Sequence, residues 1–324
     1  SITDPFWQRE TELVRREVIP YQWDALNDRI PGAEKSWCMH NFRLAGRIMA
    51  QSRQQGAQYT SQAYTYRGYN ALPDDPAHPD EDKFYGFLFQ DSDFSKWIEA
   101  VGYSLIQHPD KALEATADEA IDVVCAAQTP EGYLDTYYII NGMDGAFQNL
   151  RAHHELYCLG HLIEGAVSYY QATGKDKLLR AACRFADYVA DFFGTADGQC
   201  KGYPGHEIAE MALVRLYEVT QDEKYLRLSR FFINERGQEP NYFVEEERRN
   251  AEREHRPVQS VNLAYHQAVK PVREQDEAMG HAVRAVYLYS GMADVARATQ
   301  DESLLKACET LWNNMVHQLS LIHI

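Results

Sequence analysis

Residues 169–189, YYQATGKDKLLRAACRFADYV, show how this chain folds. One apolar helical run ends at a Thr-Gly turn, and a second begins directly after it, with apolar residues three and four positions apart as on one face of a helix. The same form recurs at 216–235, at 293–312 and, with a His-Pro-Asp turn, at 102–124. Two helical runs joined by a short turn predict an antiparallel helical hairpin. The chain is therefore predicted to consist mainly of repeated helical hairpins.

Aspartates stand near the predicted starts of the second helices, where the helix dipole favours an acidic group. They are Asp110, Asp176, Asp222 and Asp301. Strand signals are few, and the best of them are at 84–90 and 132–140. The fold class is therefore predicted to be all-α.

The hairpins are unevenly spaced, and long polar segments such as 53–83 and 237–274 separate them. A solenoid would have a regular period, so this spacing favours an α/α toroid, whose inner helices surround a cavity. Helices are predicted over 5–26 and 36–51, and four hairpins near 94–128, 154–193, 206–235 and 275–317. A closed toroid of six hairpins has more helices than the roughly ten counted in this way. We therefore expect an incomplete (α/α)6 barrel.

The composition limits the partners and the location of the chain. Its 48 acidic and 32 basic residues give a formal charge of −16, which repels phosphate backbones, so nucleic acid is not expected as a partner. No segment reaches the roughly 20 apolar residues of a membrane span. The six cysteines are scattered without a C-x-x-C pair and are expected to be free thiols. Together these features predict a cytoplasmic chain that does not bind membranes.

Residues 154–158, HELYC, differ at one position from the zinc-hydrolase motif H-E-x-x-H. On a helix, His154, Cys158 and His161 share one face. However, the first and last of these residues are about 10 Å apart along the axis, too far for one zinc ion with bonds near 2 Å. His154 and Cys158 have no third ligand nearby, and Cys158 lies in an apolar stripe. We therefore expect no zinc here, a core thiol at Cys158 and no functional role for His161.

Three histidines stand at equivalent places in the hairpins. His154, His206 and His281 each come where an inner helix is predicted to begin, and such helix ends face the cavity of a toroid. A neutral imidazole there can donate to and accept from sugar hydroxyls. The alternative is that these histidines are core or helix-capping residues. We select the three as candidate substrate-binding residues.

Paired carboxylates are the other possible chemistry, because glycoside hydrolysis generally uses two across the scissile bond. Asp91, Asp93 and Asp135 are candidates. Three further candidates precede His281, and they are Glu274, Asp276 and Glu277. No spacing identifies a pair among them. Asp91 equally fits the N-cap of a helix that starts near Ser95.

Six blocks of the chain, in order, resemble the β-L-arabinofuranosidase family, glycoside hydrolase family 127. They read DPFWQRE…VIPYQWDALND, GFLFQDSDFSKWIEAVGYSLIQHPD, AAQTPEGYLDTYY, HELYCLGHLIEGAVSYYQATGKDKLL, GYPGHEIAEMALVRLYEVT and PVREQDEAMGHAVRAVYLYSGMADV. The resemblance covers residues 2–316. It implies an (α/α)6-barrel catalytic domain over residues 1–317, here partial, and β-sandwich domains after it in full-length members. Residues 318–324 match nothing in the pattern and are expected to be a tail or a truncation junction.

The resemblance also implies an activity and a site. Family members release terminal β-L-arabinofuranosyl residues from glycans or glycopeptides with retention, and matching histidines contact the sugar; these fall on His154, His206 and His281. The family's nucleophile is a zinc-bound cysteine, with a glutamate as general acid/base and zinc held by one glutamate and three cysteines. This chain has no Cys-Cys pair and no Glu-x-Cys triplet. Zinc is therefore expected in the full-length enzyme but not in this chain, which is predicted to be inactive and to contain no catalytic residue.

Two other functions remain open at this point. An α/α toroid can also house a sugar epimerase or isomerase, in which the same three histidines would serve as acid and base without a metal. The second possibility is that the chain is a non-catalytic, carbohydrate-binding helical module.

Overall fold

The computed structural model describes residues 3–54 and 61–319, and most of these residues are helical. In chain order the α-helices are α1 (Pro5–Leu13), α2 (Ile19–Leu26), α3 (Cys38–Gln54), α4 (Asp91–Gln107), α5 (Lys111–Ala126), α6 (Thr136–Asn141), α7 (Glu155–Thr173), α8 (Lys177–Phe192), α9 (Ala209–Thr220), α10 (Glu223–Glu235), α11 (Tyr242–Arg253), α12 (Ala282–Thr299) and α13 (Glu302–Gln318). Two short strands, β1 (Asn70–Ala71) and β2 (Gly86–Phe87), pair antiparallel. The all-α prediction is confirmed.

The predicted helices are all present. A π-helical stretch, Val14–Val18, joins α1 to α2, so the helix predicted over 5–26 is one continuous helical segment. The four predicted hairpins are α4/α5, α7/α8, α9/α10 and α12/α13. The count of ten omitted α6 and α11. Part of the 53–83 loop, residues 55–60, and most of the predicted tail, residues 320–324, lie outside the described residues.

The four aspartates stand directly before the second helices of the hairpins, as predicted, and three of them also cap those helices. Asp110 accepts hydrogen bonds from the amides of Ala112 and Leu113, Asp222 from that of Lys224, and Asp301 from that of Leu304. Each of these bonds satisfies a backbone N–H that the first turn of a helix leaves without a partner.

The strand prediction at 132–140 is wrong. Asp135 caps a short helix there, α6, by accepting a hydrogen bond from the Tyr137 amide at 3.1 Å. The strand predicted at 84–90 is reduced to β2, because α4 begins at Asp91. Asp91 is therefore not an N-cap: it lies inside the first turn and is 6% exposed, and its carboxylate accepts from the amide and the hydroxyl of Thr136 at 2.7 and 2.5 Å. Burial raises the pKa of Asp91 to about 6. This carboxylate is a structural tie between α4 and α6.

The chain divides into two compact units. Unit 1 comprises Ser1–Ala146 and His161–Phe185, and unit 2 comprises Phe147–Gly160 and Ala186–Ile324. In unit 1, helices α3, α4 and α5 pack together, and Trp23 stacks on the buried Trp97 with ring centroids 4.5 Å apart. In unit 2, α9 packs against α10 and α12, and α12 packs against α13. One core cluster of unit 2 is mostly aliphatic and includes the fully buried side chains of Leu288, Met292, Leu304 and Leu311.

The six cysteines are free thiols, as expected, and Cys38 and Cys158 are buried. Among the helices of the described segments, none combines the length and the apolar character that crossing a membrane requires.

Glycines bring α4 and α7 into close contact within unit 1. A Cβ atom added at Gly102 would lie 2.7 Å from the carbonyl carbon of Ser168, and one added at Gly165 would lie 2.6 Å from the carbonyl oxygen of Ser95. The Ser168 hydroxyl donates across the contact to the Glu99 carbonyl at 3.0 Å. Glycine weakens a helix by about 1 kcal/mol relative to alanine, so its use here reflects the close approach of the two backbones.

We predict that Gly102→Ala destabilises the protein by about 1–3 kcal/mol, because the added methyl group overpacks the contact with Ser168. The measurement is the free energy of unfolding from urea denaturation. Gly46→Ala in α3 is the matched control, because its nearest neighbour would be 3.6 Å away, an ordinary contact distance. That variant should be more stable by roughly 0.5–1 kcal/mol. Equal effects at the two positions would contradict the proposed packing.

Candidate functional site

The three predicted histidines come together in unit 2. His154 immediately precedes α7, His206 lies in the segment before α9, and His281 is the N-cap of α12. His206 is in the middle, with its ring centroid 5.6 Å from that of His154 and 5.8 Å from that of His281. His161, by contrast, lies within α7 and is buried among the residues assigned to unit 1. Cys158 is 3% exposed, in agreement with its prediction as a core thiol.

In the neutral form of each histidine, a backbone contact determines which ring nitrogen carries the proton. Nδ1 of His154 lies 3.0 Å from the Ala152 carbonyl, and Nδ1 of His206 lies 2.9 Å from the Glu207 carbonyl. A carbonyl only accepts, so both Nδ1 atoms donate and both Nε2 atoms are acceptors. Nδ1 of His281 instead accepts from an amide at 3.4 Å, which makes its Nε2 a donor. The row therefore offers two acceptors and one donor.

His154 is held in its neutral form. Burial, followed by the proximity of His206 and Arg284, lowers its pKa to about 3. The imidazole therefore remains a hydrogen-bonding group without charge throughout the physiological pH range.

Tyrosine rings surround the row of histidines. Tyr157 lies 4.5 Å from His206 and 5.6 Å from His154 between ring centroids, and Tyr287 lies 6.3 Å from His206. At the other end, Tyr265 lies 5.4 Å from His281. Aromatic faces beside fixed hydrogen-bonding groups are typical of sites that bind polar small molecules.

A buried arginine–histidine pair supports the His281 end. Arg284, 6% exposed, places its guanidinium 4.7 Å from the Tyr265 ring centre and its Nη1 2.7 Å from Nδ1 of His266. Arginine only donates, so Nδ1 of His266 accepts from Arg284. This nitrogen therefore carries no hydrogen to donate to the Gly205 carbonyl, which lies 3.2 Å away. Burial and the Arg284 charge lower the pKa of His266 to about 3, which keeps this acceptor available.

Arg236 organises the segment that carries His206. Its fully buried guanidinium donates to the carbonyls of Pro204 and His266 at 2.6 and 2.8 Å. The same group lies 2.9 Å from a carboxylate oxygen of Glu207 and 3.2 Å from one of Glu210. Burial raises the pKa of Glu207 to about 8, against the attraction of Arg236. One cation thus contacts residues on both sides of His206, through the Pro204 carbonyl and the Glu207 side chain.

Two buried glutamates hold the segment before His154. Glu155 accepts from the Phe147 amide through both oxygens, at 2.9 and 3.1 Å. Glu246, on α11, accepts from the amides of Leu150 and Arg151 at 2.6 and 3.1 Å. Burial raises the pKa of Glu246 to about 7, partly offset by these two amides. Helix α11 is therefore a support for the site rather than part of a structureless loop.

Three Gly-His dipeptides occur in the chain, Gly160-His161, Gly205-His206 and Gly280-His281, and each requires glycine for a reason of its own. A Cβ atom at Gly160 would lie 2.9 Å from the Ala209 amide nitrogen, and one at Gly205 would lie 2.5 Å from the Arg151 carbonyl oxygen. Gly280 has a φ of +79° and its added Cβ would collide with the Ala264 carbonyl. Only the second and third glycines precede a histidine of the row.

Four of the candidate carboxylates are engaged in contacts within the protein. Asp91 and Asp135 hold α4 and α6, as described above. Asp93 accepts from the Gln90 side chain at 2.6 Å, and Asp276 pairs with Lys270 at 2.7 Å. In the described part of the chain, no three His, Cys, Asp or Glu residues are grouped so that they could hold a metal ion.

Sequence reasoning missed Arg236, Glu246 and the tyrosines around the row. Tyr157 had a signal, since it lies one helical turn after His154. Arg236 and Glu246 had none, because their partners are distant in the chain and their own surroundings are rich in charge.

Comparisons with known proteins show a family likeness over nearly the whole chain. The family model for the β-L-arabinofuranosidase GH127 catalytic domain matches residues 1–323. A non-reducing end β-L-arabinofuranosidase from Bifidobacterium longum subsp. longum is 36% identical over 321 residues, which are 98% of this chain and 46% of that protein.

Two solved structures extend the likeness to the fold. A GH127 β-L-arabinofuranosidase from Geobacillus stearothermophilus T6 matches with a TM-score of 0.83 and 45% identity, over 97% of this chain and 45% of that one. A second GH127 β-arabinofuranosidase matches with a TM-score of 0.75 and 37% identity, over 98% of this chain and 42% of that one. These matches confirm the α/α-barrel fold class, and the chain spans less than half the length of each relative. The chain belongs to the β-L-arabinofuranosidase family, glycoside hydrolase family 127.

Proposed function

We propose that this chain forms the sugar-binding wall of a β-L-arabinofuranosidase catalytic domain. The whole protein would release terminal β-L-arabinofuranosyl residues, with retention, from glycans or glycopeptides. The observation that carries the proposal is the row of His154, His206 and His281, each at the start of a different helix, with ring centroids less than 6 Å apart. The names of the matched relatives support the substrate class.

The hydrogen-bonding pattern of the row suits adjacent hydroxyl groups of one small sugar. A hydroxyl group donates one hydrogen bond and accepts others. Nε2 of His154 and of His206 would accept from two hydroxyls, and Nε2–H of His281 would donate to a third. The tyrosine rings would cover the apolar face of the furanose.

The same features argue against an epimerase or isomerase. A general base works best when its pKa lies near the operating pH. The pKa of His154 is lowered to about 3, so this imidazole binds a proton too weakly for that role. Binding, rather than proton transfer, is what its environment favours.

We further propose that these 324 residues alone catalyse no hydrolysis and bind no zinc. The chain contains neither adjacent cysteines nor a Glu-x-Cys triplet, the pattern that the family resemblance associates with the zinc site. Exposed apolar side chains on α12 and α13 support the view that further helices pack there. They are Val283, Val286, Leu305 and Trp312, at 48%, 49%, 49% and 63% exposure.

We predict that His206→Ala weakens binding of methyl β-L-arabinofuranoside to the protein by about tenfold or more, because a buried hydrogen bond to the sugar is lost. Isothermal titration calorimetry measures this change. His108→Ala, at an exposed histidine in unit 1, is the matched control and should bind like the wild type.

The contribution of His154 should not depend on pH. Because its pKa is lowered to about 3, the ratio of wild-type to His154→Ala affinity should stay constant between about pH 5 and 8. A ratio that falls below about pH 6.5, the ordinary pKa of histidine, would show that His154 is solvated and not part of a buried wall.

We predict that the 324-residue chain releases no phenol from an aryl β-L-arabinofuranoside, with or without added zinc. Absorbance of the released phenolate over hours measures the reaction. Sugar-dependent stabilisation in a thermal melt, without turnover, is the expected result. Turnover by this chain would disprove its proposed inactivity and leave the binding wall intact as a hypothesis.

We predict that Arg236→Met destabilises the protein by about 3–5 kcal/mol, since two buried acidic side chains then lose their cation. Burial already raises the pKa of Glu207 to about 8, and removal of Arg236 should raise this pKa further. The part of the stability deficit that comes from Glu207 should therefore grow as the pH rises above about 8, and urea denaturation at several pH values measures it.

Arg236→Lys tests the positioning role separately. Lysine keeps the charge but lacks the planar fork that reaches two carbonyls and two carboxylates at once. We expect a smaller stability loss, measured by urea denaturation, with weaker binding of methyl β-L-arabinofuranoside. Wild-type affinity in this variant would mean that Arg236 stabilises the fold without orienting His206.

A further inference from the structure

Unit 2 contains a second concave site. A cavity of about 750 Å³ lies between the C-terminal ends of α8 and α10 and one face of α11. Its volume falls within the range of roughly 300–1,000 Å³ that is common for small-molecule sites. Among the described residues that line it, none belongs to the histidine row.

Aromatic rings form two sides of the cavity. Phe192 at the end of α8 is 41% exposed and packs on the buried Phe147 with centroids 4.8 Å apart. Tyr242 on α11 is half-buried, and the Cys200 thiol donates to its hydroxyl at 3.4 Å. The Arg249 guanidinium lies 5.1 Å from the Tyr242 ring centre. The rings are therefore held in place by neighbours before any ligand binds.

Charged groups in the lining balance each other. The cations are Lys201, Arg249 and Arg253, and the carboxylates are Glu235, Glu239 and Glu245. An anionic or a cationic ligand would meet as many repelling as attracting groups. A neutral polyol can use both kinds, because its hydroxyls accept from ammonium and guanidinium groups and donate to carboxylates.

Amide side chains add directional contacts to this lining. Asn250 is 3% exposed, so burial fixes its position, and Gln148 and Gln238 reach the cavity from two other segments. The buried Asn250 amide, the balanced charges and the aromatic faces together match the surface of a sugar, whose ring carbons are apolar on their faces and whose edges carry hydroxyls.

We propose that this cavity is a second carbohydrate-binding site, for a neutral oligosaccharide of two or three units. It does not depend on the hydrolysis proposed above. A chain held here would raise the concentration of a glycan near the protein without taking part in chemistry. The effect is that of a second binding module on one scaffold.

The test uses the protein with His206→Ala, which weakens the first site, and a neutral L-arabino-trisaccharide as the probe. Saturation-transfer NMR and calorimetry should still detect saturable binding. Adding Phe192→Ala should weaken that binding by about five- to tenfold, since a stacking surface is lost. Tyr21→Ala, at a 57% exposed aromatic residue of unit 1, is the matched control and should have no effect.

Arg249→Ala provides an independent second variant at an exposed position, and circular dichroism melts verify that each variant is folded.

Tri-galacturonate, a trisaccharide with three carboxylates, tests whether the site prefers a neutral ligand and should bind more weakly than the neutral probe. Three results would overturn the proposal: no saturable binding up to about 10 mM, binding unaffected by both cavity variants, or tighter binding of the anionic probe. Loss of all binding in the His206→Ala background would assign the sugar to the histidine row alone, which leaves the proposed function standing.

Discussion

The site in unit 2 depends on one buried cation. Arg236 lies at the end of α10 with no solvent exposure, and its guanidinium reaches two backbone carbonyls and two carboxylates. Only arginine offers enough fixed donors for such a set. Because those carbonyls belong to Pro204 and His266, the guanidinium couples the segment that carries His206 to the one that supports Arg284. Burying this charge is unfavourable unless every partner is in place, so the arrangement tolerates one geometry of the surrounding backbone.

The same principle operates at the His154 end with the opposite charge. Glu155 and Glu246 are each 1% exposed, and their carboxylates accept from three backbone amides between them, which are those of Phe147, Leu150 and Arg151. Backbone amides buried in a turn need acceptors, and a carboxylate can supply several at once. The segment before His154 is thus held by hydrogen bonds from its loop to helices, and not by regular structure within the loop.

Features that depend on residues close together in the chain could be predicted from the sequence, and features that depend on distant residues could not. The hairpins and their caps were predictable, since Asp110, Asp222 and Asp301 act on amides two or three residues away. The helix α6 was missed because its Tyr-Tyr-Ile-Ile run resembles a buried strand, and only the cap at Asp135 distinguishes it. The histidines were found because each stands at the start of a repeated unit. Arg236 could not be predicted in this way, because it contacts residues 26 to 32 positions away in the chain. No local spacing in the sequence indicates such contacts.

The chemistry of the histidine row follows from how its imidazoles are anchored. A histidine that shuttles protons needs both protonation states within reach, whereas burial here lowers the pKa of His154 to about 3 and a backbone carbonyl fixes its tautomer. His206 is anchored in the same way, and His281 in the reverse way, by a backbone amide at Nδ1. In their neutral forms the three imidazoles therefore present the order acceptor, acceptor and donor along the row. Under the proposed function, this order would discriminate between hydroxyl arrangements of a sugar, and the groups that break its glycosidic bond would come from a different set of residues.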